Sequence, residues 1–379
     1  MFWLNSNRMS VVVVVMVAMM VVGGGIANAD FTFSERVNLG PVVNSPYDDM
    51  DPFIAPDGLS LYFASWRPGG YGDADIWVVT KQTSERNPEG YWGPPMNLGA
   101  LVNSEHREMG PSITTDGLTL VFFSDRPDGL GDGDIWVATR PSKDDPWGEP
   151  VNLGSPINSD NPEFCPCISP DGCSLYFSKI GYLSPTNPDI FYGGEIYMTT
   201  RVTRESPWET PVKLEVMPSR QGSGNWGASI SSDGLALFFY SDYADVSLLP
   251  DIWLATRTHN DDGWGTPIRL GPEINTQNGE QKPSISTDGS TLYWCCGRAN
   301  LNTWDLWQST ISPIVDLNGD GIVDAGDMCI MVDHWGTDNK LFDIGPMPWG
   351  DGVVDIEDLK VFIEYWEQEN MLQGQENDQ

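Results

Sequence analysis

The chain has 379 residues, with 54 acidic side chains against 20 Lys and Arg, a net charge of −34 and a pI near 4.1. That charge argues against nucleic acid and anionic membrane surfaces as partners, because both would be repelled. Forty Gly and 29 Pro suit a turn-rich β-fold, and the length allows one large domain plus a small module.

Residues 1–29 have the layout of a secretory signal peptide. Arg8 is the only charge, Val11 to Val22 is unbroken apolar sequence, and Ala27-Asn28-Ala29 forms an A-x-A cleavage site before Asp30. The apolar run is shorter than the ~20 residues a membrane span needs. The expectation is cleavage, export to the cell surface, periplasm or medium, and a mature chain without a membrane span.

Residues 30–312 are built on a repeat. Asp-Gly pairs stand at Asp57-Gly58, Asp116-Gly117, Asp171-Gly172, Asp233-Gly234 and Asp288-Gly289, at spacings of 59, 55, 62 and 55 residues. In the second copy, Ser112 to Thr115 is a short β-prone run stopped by an Asp-Gly turn of the kind that joins antiparallel strands. Leu118 to Ser124 alternates and is rich in branched and aromatic residues, a glycine loop leads into Asp134 to Arg140, and Val151 to Gly154 follows. Four antiparallel strands per repeat make a propeller blade. The matching third strands carry Ile76-Trp77, Ile135-Trp136, Ile196-Tyr197, Ile252-Trp253 and Leu306-Trp307, bulky pairs suited to the wedge between radially stacked sheets.

The last copy stops near Ser312, without the W-x-x-P-x-x-L-G segment that ends the others. Phe33 to Gly40, F-S-E-R-V-N-L-G, supplies that segment from the start of the chain. Residues 33–40 are therefore expected to pair with 305–311 and close an all-β, monomeric five-bladed propeller, removing two sheet edges. The P-S-I-S-x-D-G-x-x-L-x-F-x-S-x-R and D-I-W pattern resembles the WD40-like repeat of the PD40 type, found in TolB propellers and many secreted bacterial proteins. The resemblance covers residues 33–312 and implies a fold without implying one function.

Each first strand opens on a polar residue: Asp49, Glu108, Glu163, Asn225 and Glu280. First strands line a propeller's channel, so Asp49, Glu108, Glu163 and Glu280 are the candidate catalytic acids if this is a glycoside hydrolase, which needs a pair of carboxylates. A catalytic acid and base must differ in environment, whereas these residues recur with the repeat, as structural hydrogen bonds would. The Ser-x-Arg turns at Ser65-Trp66-Arg67 and Ser124-Asp125-Arg126 repeat in the same way. Trp66, Tyr71, Tyr182, Tyr192 and Trp226 are aromatic candidates for stacking on sugar rings; Tyr182 and Tyr192 belong to an insertion, Gly181 to Gly194. The cysteines Cys165, Cys167, Cys173, Cys295, Cys296 and Cys329 lack zinc-site spacing and read either as disulfide formers, Cys167 and Cys173 lying on one hairpin, or as small buried residues.

After Pro313 the repeat ends. Asp316, Asn318, Asp320, Asp324 and Asp327 stand at positions 1, 3, 5, 9 and 12 of a Ca²⁺ loop, with the Ile322 carbonyl at 7 and Gly321 at the sharp turn. A weaker second loop uses Asp351, Val353 (carbonyl), Asp355 and Asp358, with Asp343 drawn in as the first ligand. Asp327 to Trp335 and Asp358 to Trp366 share an apolar pattern and read as two short helices, burying Met328/Leu359, Val332/Ile363 and Trp335/Trp366. Loop, helix, loop, helix over 313–368 resembles a dockerin domain, an all-α module with two calcium loops. The resemblance implies attachment to a cohesin-like scaffold protein, in polysaccharide degradation. Residues 369–379 read as a disordered acidic tail. The combined expectation is a secreted, non-catalytic propeller binding a polysaccharide or protein, with a glycoside hydrolase as the competing reading.

Overall fold

The computed structural model describes residues 31–84, 87–184, 187–217, 223–242, 249–257, 259–260, 262–299, 303–313, 315–317, 322–337, 344–345 and 353–376. The expected signal peptide, residues 1–29, lies outside them. The strands form five antiparallel sheets, each one blade. The innermost strands are Asp49–Ile54, Glu108–Ile113, Glu163–Ile168, Asn225–Ile230 and Glu280–Ile285, and each packs against the next, the fifth against the first.

Ring closure occurs in the expected place. Val37 pairs with Gln308 and Asn38 with Trp307, completing the fifth blade from the start of the chain. The seam is longer than the repeat alone predicts, because Phe31–Phe33 also pairs with Ile311 to Pro313. The insertion in blade three is an extension of its middle hairpin, with Tyr182 opposite Tyr192 in register.

Alternating side chains on each sheet face have to be buried against the neighbouring blade. Five separate apolar clusters do this, one for each inter-blade wedge, around residues such as Phe122, Phe177, Phe239, Trp294 and Phe63. Full burial of a side chain of this size contributes roughly 1.5–3 kcal/mol. Polar links run across the same wedges: the Ile54, Ile168 and Ile285 N–H groups donate to the Ser284, Ser112 and Ser229 hydroxyls of adjacent inner strands at 3.0–3.1 Å.

A second repeated device holds the third strand of blades one, two, four and five. Asn103 accepts from the Ile76 N–H at 2.8 Å and donates to the Ile76 carbonyl at 3.0 Å. Asn158 does the same to Ile135, Asn275 to Ile252 and Asn44 to Leu306. A side-chain amide carries one acceptor and two donors, so it can substitute for a missing sheet neighbour. Asn44 precedes the first blade yet clamps the fifth, which makes it part of the seam.

The C-terminal segment forms two helices, Ala325–Asp333 and Ile356–Glu376. Each begins with the same cap: the Asp324 and Asp355 carboxylates accept from Gly326 and Glu357 N–H, while Asp327 and Asp358 accept from the Asp324 and Asp355 N–H. The second helix runs past Trp366 to Glu376, so residues 369–376 are helical rather than the expected disordered tail; Met, Leu, Gln and Glu there are good helix formers. The buried face also differs from expectation. Met331 and Phe362 are fully buried, whereas Val332, Ile363 and Trp335 are exposed. The reason is that Asp327 and Asp358 are themselves buried, and the residue four positions on lies on the same helix face. No helix among the described residues is long and apolar enough to cross a membrane.

Candidate functional site

The recurring carboxylates of the inner strands are sealed. Asp49, Glu108, Glu163 and Glu280 have no solvent exposure, and each is consumed by donors of its own blade. Glu108 accepts from the Ser104 N–H (2.8 Å) and hydroxyl (2.6 Å), the Ser124 hydroxyl (2.8 Å) and Arg126 (2.9 Å). Asp49 repeats this with the Ser45 N–H, Ser65 and Arg67. Glu163 takes the Ser159 N–H and hydroxyl, with Lys179 3.2 Å away. Glu280 takes those of Thr276, the Cys296 thiol at 3.1 Å and, across the seam, Arg36 at 3.8 Å. Asn225, the neutral member, donates to the Met217 carbonyl instead. The Ser-x-Arg turns thus supply the donors, and the Arg67 and Arg126 guanidinium groups also lie 5.0–5.3 Å over Phe63, Trp77, Phe122 and Trp136. Burial pushes the Glu163 and Glu280 carboxyls above their ordinary range despite these donors. None of the four borders the central cavity.

Two residues further along each inner strand the picture reverses. The third position of every inner strand is left-handed: Asp51 (φ 54°), Gly110 (58°), Cys165 (58°), Gly227 (59°) and Lys282 (53°). Each lies in a bulge where the pairing register with the second strand slips. A left-handed bulge is glycine's natural place, and a residue with a Cβ there is strained by roughly 1–3 kcal/mol. Blades two and four use glycine; blades one, three and five hold Asp, Cys and Lys, which all face the channel.

These side chains form the floor of a cavity of about 500 Å³ at one mouth of the channel, bordered by inner strands of all five blades. Its walls are Met50, Met109, Phe123, Phe164, Trp226 and Tyr240, with Asp242 at the rim. Below the floor, Pro52, Pro111, Pro166, Pro283 and, in blade four, Ala228 narrow the channel to a void of about 30 Å³. The cavity is blind.

On the floor the Lys282 ammonium stands 3.7 Å from Asp51 Oδ1, while Asp51 Oδ2 accepts from the Gly110 N–H at 2.9 Å. Burial works against the Lys282 charge, but the nearby Asp51 carboxylate and Cys165 thiol more than offset it, so the amine stays protonated. Burial likewise raises the Cys165 thiol and lifts the Tyr240 hydroxyl well above its ordinary range. All six cysteines are free thiols; Cys165, Cys167, Cys295 and Cys296 are buried, which favours the small-core-residue reading over disulfides.

Of the aromatic candidates, Trp226 lines this cavity. Tyr71 is exposed and Trp66 half-buried on the first blade's loops, and neither borders it; the side chains of Tyr182 and Tyr192 lie outside the described residues. Sequence reasoning missed Asp51, Cys165 and Lys282. Their signal was present in the aligned inner strands D-M-D-P, E-M-G-P, E-F-C-P, N-W-G-A and E-Q-K-P, where one slot is glycine twice and something chemically different three times.

In the C-terminal module Asp316, Ile322, Asp324, Asp327, Val353, Asp355 and Asp358 are described, whereas Asn318, Asp320, Asp343 and Asp351 lie outside the described residues. Asp327 and Asp358, the carboxylates expected at position 12 of the two loops, are fully buried at the helix starts, and Asp358 also accepts from the Gly345 N–H at 2.7 Å. Val323 and Val354, each directly before its position-9 aspartate, meet in one small core with Met331 and Phe362. Two hydrogen bonds join the halves, Gly336 N–H to the Val354 carbonyl and Val354 N–H to that of Thr337.

No family model matches the sequence, and no curated protein matches it. Solved structures match the fold. A glycoside hydrolase aligns over 81% of this chain and 96% of its own at 10% identity, with a TM-score of 0.51. The catalytic domain of an α-L-arabinofuranosidase from Coprinopsis cinerea aligns over 75% and 98% at 12% identity and 0.48. TolB from Acinetobacter baumannii aligns at 13% identity and 0.43 over 72% of this chain, which spans 56% of that protein's length. At such identities the likeness is one of fold. The strands between Phe31 and Pro313 form a five-bladed all-β propeller, and the solved structures it resembles include TolB-type propellers and glycoside hydrolases.

Proposed function

We propose that this is a secreted, non-catalytic propeller that binds an extracellular ligand, polysaccharide or protein, in its central cavity. A calcium-dependent, dockerin-like module attaches it elsewhere. The observation that carries the reading is the contrast at the channel: the acids that a hydrolase would use are sealed, and the open cavity is aromatic. Its volume falls within the range of small-ligand sites.

The module's donor chemistry fits Ca²⁺. Asp316, Asn318, Asp320, the Ile322 carbonyl, Asp324 and Asp327 would hold the first ion, all through oxygen, as a hard cation requires. Asp351, the Val353 carbonyl, Asp355 and Asp358, with Asp343, would hold the second. Burial of Asp327 and Asp358 supports this, because a buried carboxylate at position 12 joins loop to helix. A cohesin-like scaffold is the partner that this module would take.

The hydrolase reading keeps one foothold, since Asp51 and Asp242 both border the cavity. Asp51, however, is engaged on the cavity floor by the Gly110 N–H at 2.9 Å and by Lys282 at 3.7 Å. Affinity electrophoresis of the calcium-loaded protein through gels of plant and algal polysaccharides, paired with a reducing-sugar assay, separates the readings. Retention without sugar release is expected. Sugar release that disappears in Asp242→Asn would overturn the non-catalytic assignment.

A further inference from the structure

The cavity floor is specific about the ligand it would accept, and the reasoning rests on the binding role above. Asp51 Oδ1 is buried and has no hydrogen-bond donor, and Lys282 at 3.7 Å is beyond hydrogen-bonding distance. One atom can only accept and the other can only donate. Something that does both at once completes the pair.

The geometry points to a neutral polyol end group: we infer that the cavity takes the terminal sugar of a glycan chain. Neighbouring hydroxyls of that sugar would bridge Asp51 Oδ1 and Lys282 Nζ, and its C–H face would lie against Trp226, Phe164 or Tyr240. A hydroxyl donates to the carboxylate and accepts from the ammonium. A ligand carboxylate would be repelled by Asp51 and a ligand amine by Lys282, so either pays a charge penalty that a hydroxyl avoids. The aromatic walls offer flat apolar faces, while the floor pair and the Gln281 and Asp242 side chains offer polar contacts. The terminal position follows from shape, since all five blades enclose the cavity and the proline ring closes its base. A chain can enter by its end and cannot pass through.

The strain supports the same assignment. Glycine meets the left-handed requirement without cost in blades two and four, so the fold does not need Asp at 51 or Lys at 282. Side chains kept at strained positions, facing one cavity and incompletely paired with each other, are groups waiting for a ligand.

Saturation-transfer NMR on the full calcium-loaded chain tests this with methyl glycosides of xylose, arabinose, galactose and rhamnose, their monodeoxy analogues, and anilinonaphthalene sulfonate as an apolar probe. At least one glycoside should bind, and removing one ring hydroxyl should weaken it by on the order of tenfold or more. Asp51→Asn and Lys282→Met should each weaken it similarly; because each leaves its partner charge unpaired, the double variant Asp51→Asn/Lys282→Met serves as the fold control and should keep its melting temperature within a few degrees while losing the glycoside. Unchanged glycoside affinity in both variants would overturn the inference while leaving the cavity as a binding site. So would apolar-probe binding that is lost in Trp226→Ala when no glycoside binds. Binding of neither glycoside nor apolar probe would remove the cavity reading as well. A polysaccharide retained by the protein whose methyl glycosides are ignored would overturn the end-group assignment.

Discussion

Two rings of side chains lie two residues apart on the inner strands, and they obey opposite rules. The first, Asp49, Glu108, Glu163, Asn225 and Glu280, is nearly uniform, buried and bonded within its own blade. The second, Asp51, Gly110, Cys165, Gly227 and Lys282, shares one backbone conformation and almost no chemistry. Uniformity under a repeat marks what every blade needs in order to fold. Variation in a slot whose geometry favours glycine marks what this particular chain does with its channel.

The largest expected effect extends the comparison to a third repeated set of buried carboxylates, Asp327 and Asp358. If their loops bind Ca²⁺, chelation should unfold the module outright, because metal-binding energy is folding energy in so small a core. Circular dichroism should lose the signal of both helices, while the propeller keeps its near-ultraviolet spectrum and its cooperative melt. A helix signal indifferent to EDTA would sink the calcium assignment.

Next in size is a break in the uniform ring. Glu108→Ala leaves Arg126 and the Ser104 N–H without their shared acceptor, and losing one member of a buried ion pair costs about 3–5 kcal/mol. Denaturant titration should show a large drop in midpoint, and a near-neutral result would mean that the ring is not structural after all.

The varied ring should behave in the other direction. Replacing both Asp51 and Lys282 by glycine removes two strained residues together with their mutual charge interaction, so stability should hold or rise by about 1 kcal/mol. Ligand binding should be lost. A fall of several degrees in melting temperature would show that the pair belongs with the structural ring.

The smallest effect is the response to acid. In the Asp-Gly turns burial works against the Asp116, Asp171 and Asp288 charges, but the Thr114, Ser169 and Ser286 hydroxyls and turn N–H groups more than offset it, and these pKa values lie below the ordinary 3.8. Their contribution is complete above that value and is lost as pH falls through the lowered folded values. Glu163 and Glu280 run the opposite way: with raised folded pKa values they favour folding when protonated, and that benefit is lost as pH rises through those values. The propeller's melting temperature should therefore rise slightly on acidification from neutrality and fall once pH drops below about 4. A steady decline beginning at neutral pH would contradict the assignment of Glu163 and Glu280.

Much of this was legible in the primary structure. Asp-Gly spacing and the displaced F-S-E-R-V-N-L-G segment determined the blade count and the seam, because turn chemistry and strand patterning are local and the repeat states them five times. The tertiary structure decided which of two adjacent polar slots faces the channel. A bulge between Met50 and Phe53 turns the strand at Asp51, and only the folded register sends one carboxylate into the blade and the other to the cavity floor. It also set the rotation of the C-terminal helices, where burial of Asp327 and Asp358 overrides the simple apolar pattern and turns Val332, Trp335 and Ile363 outward. Periodicity tells which residues share a face, and packing alone tells which face is inside.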